Sequence, residues 1–329
     1  MNVPPDSYVR VPHQALRAFV AAAGRKVGLA QDKAALLADL LVDNDLRGVF
    51  SHGSQQAATY MRLMREGRLN AQPQVHTVRE TAVSLLVDGD GGLGYFPAHA
   101  GTQALIDKVR EQGVGVLVTR NHGHFGAAGL YSRLTLPHEL LCFVTSGHQL
   151  DLAPGKLVYD AAGGSPMSFS APAGEEDALL LDFGTMHDLY HGSPHRDEIA
   201  RLAPGLVLRS IGMGMVCQAW GGFLAGIPLD PARAERRWPG ANQGSLVIAF
   251  RIDLFMPAEQ FKREMDAYAR QVRKLRPLEG FEACLPGGIE AAQERAWRAE
   301  GVPVGPEHEA RLLSMAEELG LRVPWGKSD

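Results

Sequence analysis

The sequence lacks any apolar run as long as the roughly 20 residues that a membrane-spanning helix needs. Its first residues, Met1–Asp6, show no basic segment followed by an apolar one, so no secretory leader is expected and a cytoplasmic location is. Cysteine is scarce. Cys142, Cys217 and Cys284 are odd in number, far apart and without metal-ligand spacing, which argues against a disulfide framework and fits free thiols in a reducing compartment. No charge of one sign dominates: 33 Lys and Arg stand against 37 Asp and Glu, a formal net charge of −4. The cations are dispersed, so no nucleic-acid partner is expected. The chain also lacks a Gly-x-Gly-x-x-Gly turn between an early strand and helix, followed about twenty residues on by an acid. Gly212-x-Gly214 is too short and follows no clear strand. Neither an internal repeat nor a low-complexity tract is present.

What remains is ordinary globular composition, 45% hydrophobic and 21% charged over 329 residues, enough for a large core and one to three domains. Periodicity of 3.6 predicts helices over 13–27, 31–46 and 55–64. The middle changes period. Strands are expected at 83–87, 114–119, 140–145, 167–170, 178–182 and 245–252, with helices at 98–111 and 127–134 and a buried helix at 213–224. Helical periodicity returns at 257–275, 289–300 and 307–319. Helices at both ends around a mixed α/β centre suggest a terminal helical domain, 1–75 with 255–329, and a central α/β domain, 76–254.

Two histidine sites carry the chemistry. The first is Ser51-His52-Gly53, after Arg47-Gly48; the second is Asn121-His122-Gly123-His124-Phe125-Gly126-Ala127-Ala128-Gly129. Imidazole is the side chain best suited to proton transfer near neutral pH, and the neighbouring glycines let backbone approach a ligand. His52 falls where a helix is expected to begin, whose positive end would lower its proton affinity. Ser51 reads equally well as a helix cap or as a partner in the chemistry. The small residues after His124 leave backbone N–H groups open to a pyrophosphate, or simply allow close helix packing. His122 reads as an exposed loop residue. Asp182, at the end of Leu179-Leu180-Leu181, reads as an orienting carboxylate or as a satisfied structural one. His187, His191 and His195 with Asp188 form the densest histidine group, but Pro194 argues against a helix aligning two rings, and no metal is expected.

These segments, with Val87-Asp88-Gly89, Gly92-Leu93-Gly94 and Leu285-Pro286-Gly287, resemble the malate/L-lactate dehydrogenase family from about Leu16 to the C-terminus. That family includes sulfolactate and ureidoglycolate dehydrogenases and cyclic-imine reductases. The resemblance implies a non-Rossmann α/β fold, NAD or NADP as cofactor, and an active site near the interface of a homodimer. It implies His52 as proton donor or acceptor, supported by Asp182. It also places the cofactor against Phe125, Gly126, Ala127 and Ala128, with His124 near the nicotinamide.

Several positions depart from the family pattern. Gln56 stands where an arginine commonly binds the substrate carboxylate, leaving Arg47, Arg62 or Arg65 to compensate. Gly163-Gly164-Ser165-Pro166 replaces a Gly-Thr-Asn run. Arg209-Ser210-Ile211-Gly212 replaces Gly-His-Lys-Gly, so Ile211 stands for the lysine and Arg209 is the nearest cation. The segment between Asp182 and Arg209 is short, and a Pro-Glu-Gly-Trp region is missing. The favoured reading is a nicotinamide-dependent oxidoreductase on a small carbonyl, hydroxy or cyclic-imine substrate. A second is a non-redox isomerase, lyase or cyclase that uses His52 and His124 as acid and base without nicotinamide. A third is a ligand-binding or scaffold protein.

Overall fold

The computed structural model describes residues 4–326. Met1–Val3, the start of the segment read for a leader, lie outside them. The chain begins with β1 (Val9–Val11), α1 (His13–Lys26), α2 (Gln31–Leu46) and α3 (Gln56–Arg65). Then come β2 (His76–Glu80), β3 (Ser84–Asp88), α4 (Tyr95–Gln112), β4 (Val114–His122), α5 (Gly129–Thr135) and β5 (Leu140–His148). Next are β6 (Pro166–Ala171), β7 (Leu179–Gly184), α6 (Arg196–Leu202), α7 (Pro204–Cys217) and β8 (Gln243–Arg251). The described chain closes with α8 (Ala258–Val272), α9 (Gly288–Glu300), β9 (Val302–Val304) and α10 (Pro306–Leu319).

Helix α2 shows why the first helices were legible. Ala34, Leu37, Ala38 and Leu41 recur at helical spacing and are all buried. The two chain ends pack together. β1 pairs antiparallel with β9, Val9 opposite Val304, while α2 packs on α9 and α10 on α3 and α1. The centre is a seven-stranded sheet in the order β2-β3-β4-β8-β5-β6-β7. Only β3 and β4 run parallel; β8 lies antiparallel between β4 and β5. The fold is thus mixed α/β, with terminal helices around a mixed sheet that is not doubly wound.

Strands β1, β2 and β9 and helix α6 escaped the sequence reading. Each residue of β2 is exposed, so no apolar alternation marks it, and three-residue strands carry too little pattern. The helix expected to be buried at 213–224 differs more. It begins at Pro204, passes into a π-helical turn at Gln218–Phe223, and buries one face alone. Val207, Ile211, Gly214 and Cys217 face inward, whereas Leu208 (65% exposed), Val216, Trp220 and Phe223 face out. Its composition is apolar all round, so sequence cannot distinguish the covered face from the open one. A 115° bend separates α6 from this helix at Ala203–Pro204, where proline disfavours helical geometry in the residue before it. Among the described residues no single helix is long and apolar enough to cross a membrane.

Helix α4 lies against the sheet through Gly101, where a Cβ would come within 2.7 Å of the Leu117 side chain. Leu117 on β4 is fully buried. Leu117→Ala should therefore cost about 2–5 kcal/mol of stability, as large-to-small core changes do. Urea unfolding that showed less than about 1 kcal/mol would contradict this packing.

Candidate active site

After α2 the chain turns sharply through a 3-10 turn, Phe50–His52. Helix α3 begins only at Gln56, so His52 does not sit at the helix N-terminus expected of it. The turn is held from behind. Asn44 Nδ2 donates to the His52 carbonyl at 2.9 Å, and the buried Asp45 carboxylate accepts the Ser54 amide at 2.9 Å. Glycine is required at position 53, because a Cβ there would lie 1.8 Å from Asp45 Oδ1. Burial pushes the Asp45 carboxyl up to about 7. Ser54 Oγ lies 2.8 Å from Nε2 of His308 on α10. No pattern in the sequence signals that contact, which joins residues 254 positions apart. Ser51 caps no helix; its hydroxyl lies 2.9 Å from His52 Nδ1. Burial lowers the His52 pKa, so desolvation does what the helix end was expected to do.

The second site forms where β4 bulges between Thr119 and His122. Asn121 takes a positive φ of 52° and donates to Asp88 Oδ1 at 2.8 Å. His122 is not the exposed loop residue expected. It is fully buried, with Nε2 2.7 Å from Thr119 Oγ1, and its Nδ1–H donates to the Gly123 carbonyl at 2.7 Å. Burial drives its pKa down to about 4. The bulge turned it inward, a change of direction that periodicity does not report.

His124 and His52 come together: their rings lie 5.4 Å apart, tilted by 34°. Tyr60 Oη lies 2.6 Å from His124 Nδ1 and 3.2 Å from Tyr95 Oη. The His124 pKa falls to about 3, first through burial and then through repulsion by His52, His122 and His148. His148 ends β5. Gln243 of β8 pairs with His122 on one side and His148 on the other, so three neighbouring strands end at one edge. Tyr60 and His148 were not read as site residues. Tyr60 is indistinguishable in sequence from a core position of α3, and His148 from a loop histidine.

The loop 125–128 is buried. Phe125 stacks on Tyr131, whose hydroxyl donates to the Phe125 carbonyl, and Gly126 adopts φ +83° against Tyr95. The amides of Phe125, Gly126, Ala127 and Ala128 donate to no acceptor among the described residues. The next amide, of Gly129, is taken by Asp182 Oδ2 at 2.9 Å. Asp182 therefore holds the start of α5, and no hydrogen bond joins it to either His52 or His124. Burial raises its pKa to about 6.

Arg47, one of the three cations left to compensate for Gln56, points elsewhere. Arg47 sits just past α2 and turns toward α9, pairing with Glu294 at 2.8 Å and the Gly287 carbonyl at 3.4 Å. Gln56 does lie beside the site, but its Nε2 donates to the Ser51 carbonyl at 2.7 Å. Ile211 belongs to a small apolar cluster with Ala162, Met186, Leu189 and Val207. Arg209 is exposed on the other face of α7. His187, His191 and His195 are exposed, and among the described residues no group of three His, Cys, Asp or Glu is placed to hold a metal ion.

The family model described as malate/L-lactate dehydrogenase matches residues 11–187 and 198–313. The L-sulfolactate dehydrogenase of Methanocaldococcus jannaschii is 28% identical, covering 91% of this chain and 94% of that one. The ureidoglycolate dehydrogenase (NAD(+)) of Escherichia coli is 23% identical over 88% of this chain and 91% of its own length. The malate dehydrogenase structure from Pyrococcus horikoshii superposes with a TM-score of 0.84 at 23% identity, covering 98% of each chain.

The buried imidazoles make stability pH-dependent. His122, His124 and His308, lowered to about 4, 3 and 4, stay neutral in the fold and take up protons on unfolding below their free value of 6.5. Their contribution is complete above 6.5 and is lost as pH falls toward about 4. Asp45 and Asp182 run the other way. Raised to about 7 and 6, they favour the fold below 3.8 and lose that advantage as pH rises through those values. Three strongly shifted imidazoles outnumber two carboxylates, so net stability should fall between pH 6.5 and 5. A urea midpoint equal or higher at pH 5 would contradict the neutral, buried histidines.

Proposed function

Because the chain belongs to the malate/L-lactate dehydrogenase family, we propose that it transfers hydride between a nicotinamide cofactor and a small hydroxy, carbonyl or cyclic-imine compound. One observation carries this reading: the ring of His124 faces that of His52, and four loop amides with no internal acceptor follow His124 directly in sequence. Free amides in a buried loop suit a pyrophosphate, so the residues present fit the cofactor. Phe125, Gly126, Ala127 and Ala128 would hold the phosphates through these amides, with His124 as the residue nearest the nicotinamide. The cofactor supplies the hydride acceptor or donor; the protein handles the proton.

His52 is that proton carrier. Its Nδ1 is engaged by Ser51 Oγ at 2.9 Å, leaving Nε2 to exchange the proton with substrate. A lowered pKa keeps Nε2 unprotonated near pH 7, ready to take the proton of a hydroxyl as hydride leaves. Tyr60 Oη, hydrogen-bonded to His124 Nδ1, holds the His124 ring against that of His52. Asp182 acts one step back, by fixing the start of α5 and with it the end of the loop. Gln56, with Nε2 engaged, offers substrate its carbonyl oxygen, an uncharged acceptor in place of an arginine fork. Arg209 remains the cation of its segment that could meet cofactor phosphate. The non-redox reading uses the same two histidines, but no observation favours it over hydride transfer.

The test is a titration of the purified protein with NADH and NADPH, followed by nicotinamide fluorescence. Micromolar binding of one or both is expected. His52→Ala should keep that binding while lowering kcat by about 10²–10⁴. A flat titration on folded protein would turn the assignment to the non-redox reading.

We further propose a homodimer formed through the apolar face of Leu208, Val216, Trp220 and Phe223. Light scattering should give twice 35.5 kDa at micromolar concentration. Leu208→Glu with Phe223→Glu should halve that mass; a wild-type monomer sinks the idea.

A further inference from the structure

A polar cavity lies away from the facing histidines. It has a volume of about 300 Å³ and opens where the end of α2, helix α5, the approach to β7 and helix α9 converge. Neither His52 nor His124 lines it. Four arginines do: Arg47, Arg133, Arg295 and Arg298, against two carboxylates, Asp177 and Glu294.

The pairing of these charges leaves one arginine over. Glu294 holds Arg47 at 2.8 Å and Arg298 at 2.6 Å. Asp177 holds Arg295 through both carboxylate oxygens, at 2.6 and 3.0 Å. Arg133 has no hydrogen bond or ion pair among the described residues. Its pKa falls to about 10, through burial first and then repulsion by Arg47, while Asp43, Glu294 and Asp182 act the other way. Arg133 is half-buried, and a guanidinium partly removed from water with neither a carboxylate partner nor a hydrogen bond is costly. With the other three arginines paired, the partner that Arg133 lacks is an anion.

We propose that this cavity binds a phosphate monoester, with the Arg133 guanidinium as its principal donor. Arg suits phosphate because its planar fork gives two parallel N–H bonds. Arg47, fixed by Glu294 and the Gly287 carbonyl, and Arg295, at the more exposed side, add positive field. The shared chemistry has two possible sources: the extra phosphate of NADPH or a separate phosphorylated metabolite. The first rests on the nicotinamide reading given above; binding of phosphate itself does not.

The test is calorimetric titration of the full-length protein with inorganic phosphate at low ionic strength. Saturable binding is expected, with about a tenfold loss in Arg133→Gln and no change in Arg276→Gln, an exposed arginine elsewhere. If Arg133→Gln does not fold, Arg295→Gln takes its place and should weaken phosphate severalfold. A flat phosphate titration of the wild type, or equal binding by the cavity variant, overturns the site. Competition between phosphate and NADPH, with NADPH bound about tenfold more tightly than NADH, assigns the cavity to the cofactor. Phosphate binding undiminished by saturating NADPH assigns it to a separate ligand. Because inorganic phosphate carries no nicotinamide, failure here is distinguishable from failure of hydride transfer.

Discussion

The antiparallel insertion of β8 between β4 and β5 is the constraint on which the site depends. Its register sets Gln243 opposite both His122 and His148, so strands distant in sequence end together. The bulge in β4 then releases the chain into the loop that carries His124 and the unpaired amides of 125–128. Shifting the register by one residue would turn these side chains to the opposite face of the sheet. The terminal helices complete the site from the other side, where α2 and α10 hold the His52 turn through Asn44, Asp45 and the Ser54–His308 contact.

Desolvation, rather than a charged partner, sets the chemistry of the histidines. His52, His122, His124 and His148 all have lowered pKa values with burial as the first cause. Clustering adds to this, since protonating one imidazole discourages protonation of the next. The result is a group of rings that stay neutral near pH 7. Two of them have hydroxyl partners at Nδ1, from Ser51 and Tyr60, that need not change charge during turnover. Carboxylates take a different part. Asp45 and Asp182 each accept a backbone amide and shape the two loops, away from the reacting atoms.

Much of this was legible in the residues. Helix α2 was readable to its ends because its buried stripe follows a single period. Ser51-His52 and His124 stood out because histidine beside glycine in a turn is chemically distinctive. The roles of Arg47 and Asp182 stayed open in the sequence for one reason: a charged residue near a motif can point along any of several directions, and the fold sent both toward the α5–α9 side. Tyr60, His148 and His308 were missed because contacts between distant elements leave no local pattern.

The sequence by itself determined the order of the longer elements, the mixed α/β class, the family and the residue types able to move a proton. Those follow from short-range periodicity and from motifs whose members lie within a few positions of one another. Tertiary structure alone decided that His52 faces His124, that His122 is buried, and that Arg133 lines a cavity without an anionic partner of its own. Each of these depends on strand register and on which helix face becomes covered, and those are settled by packing among segments far apart in the chain.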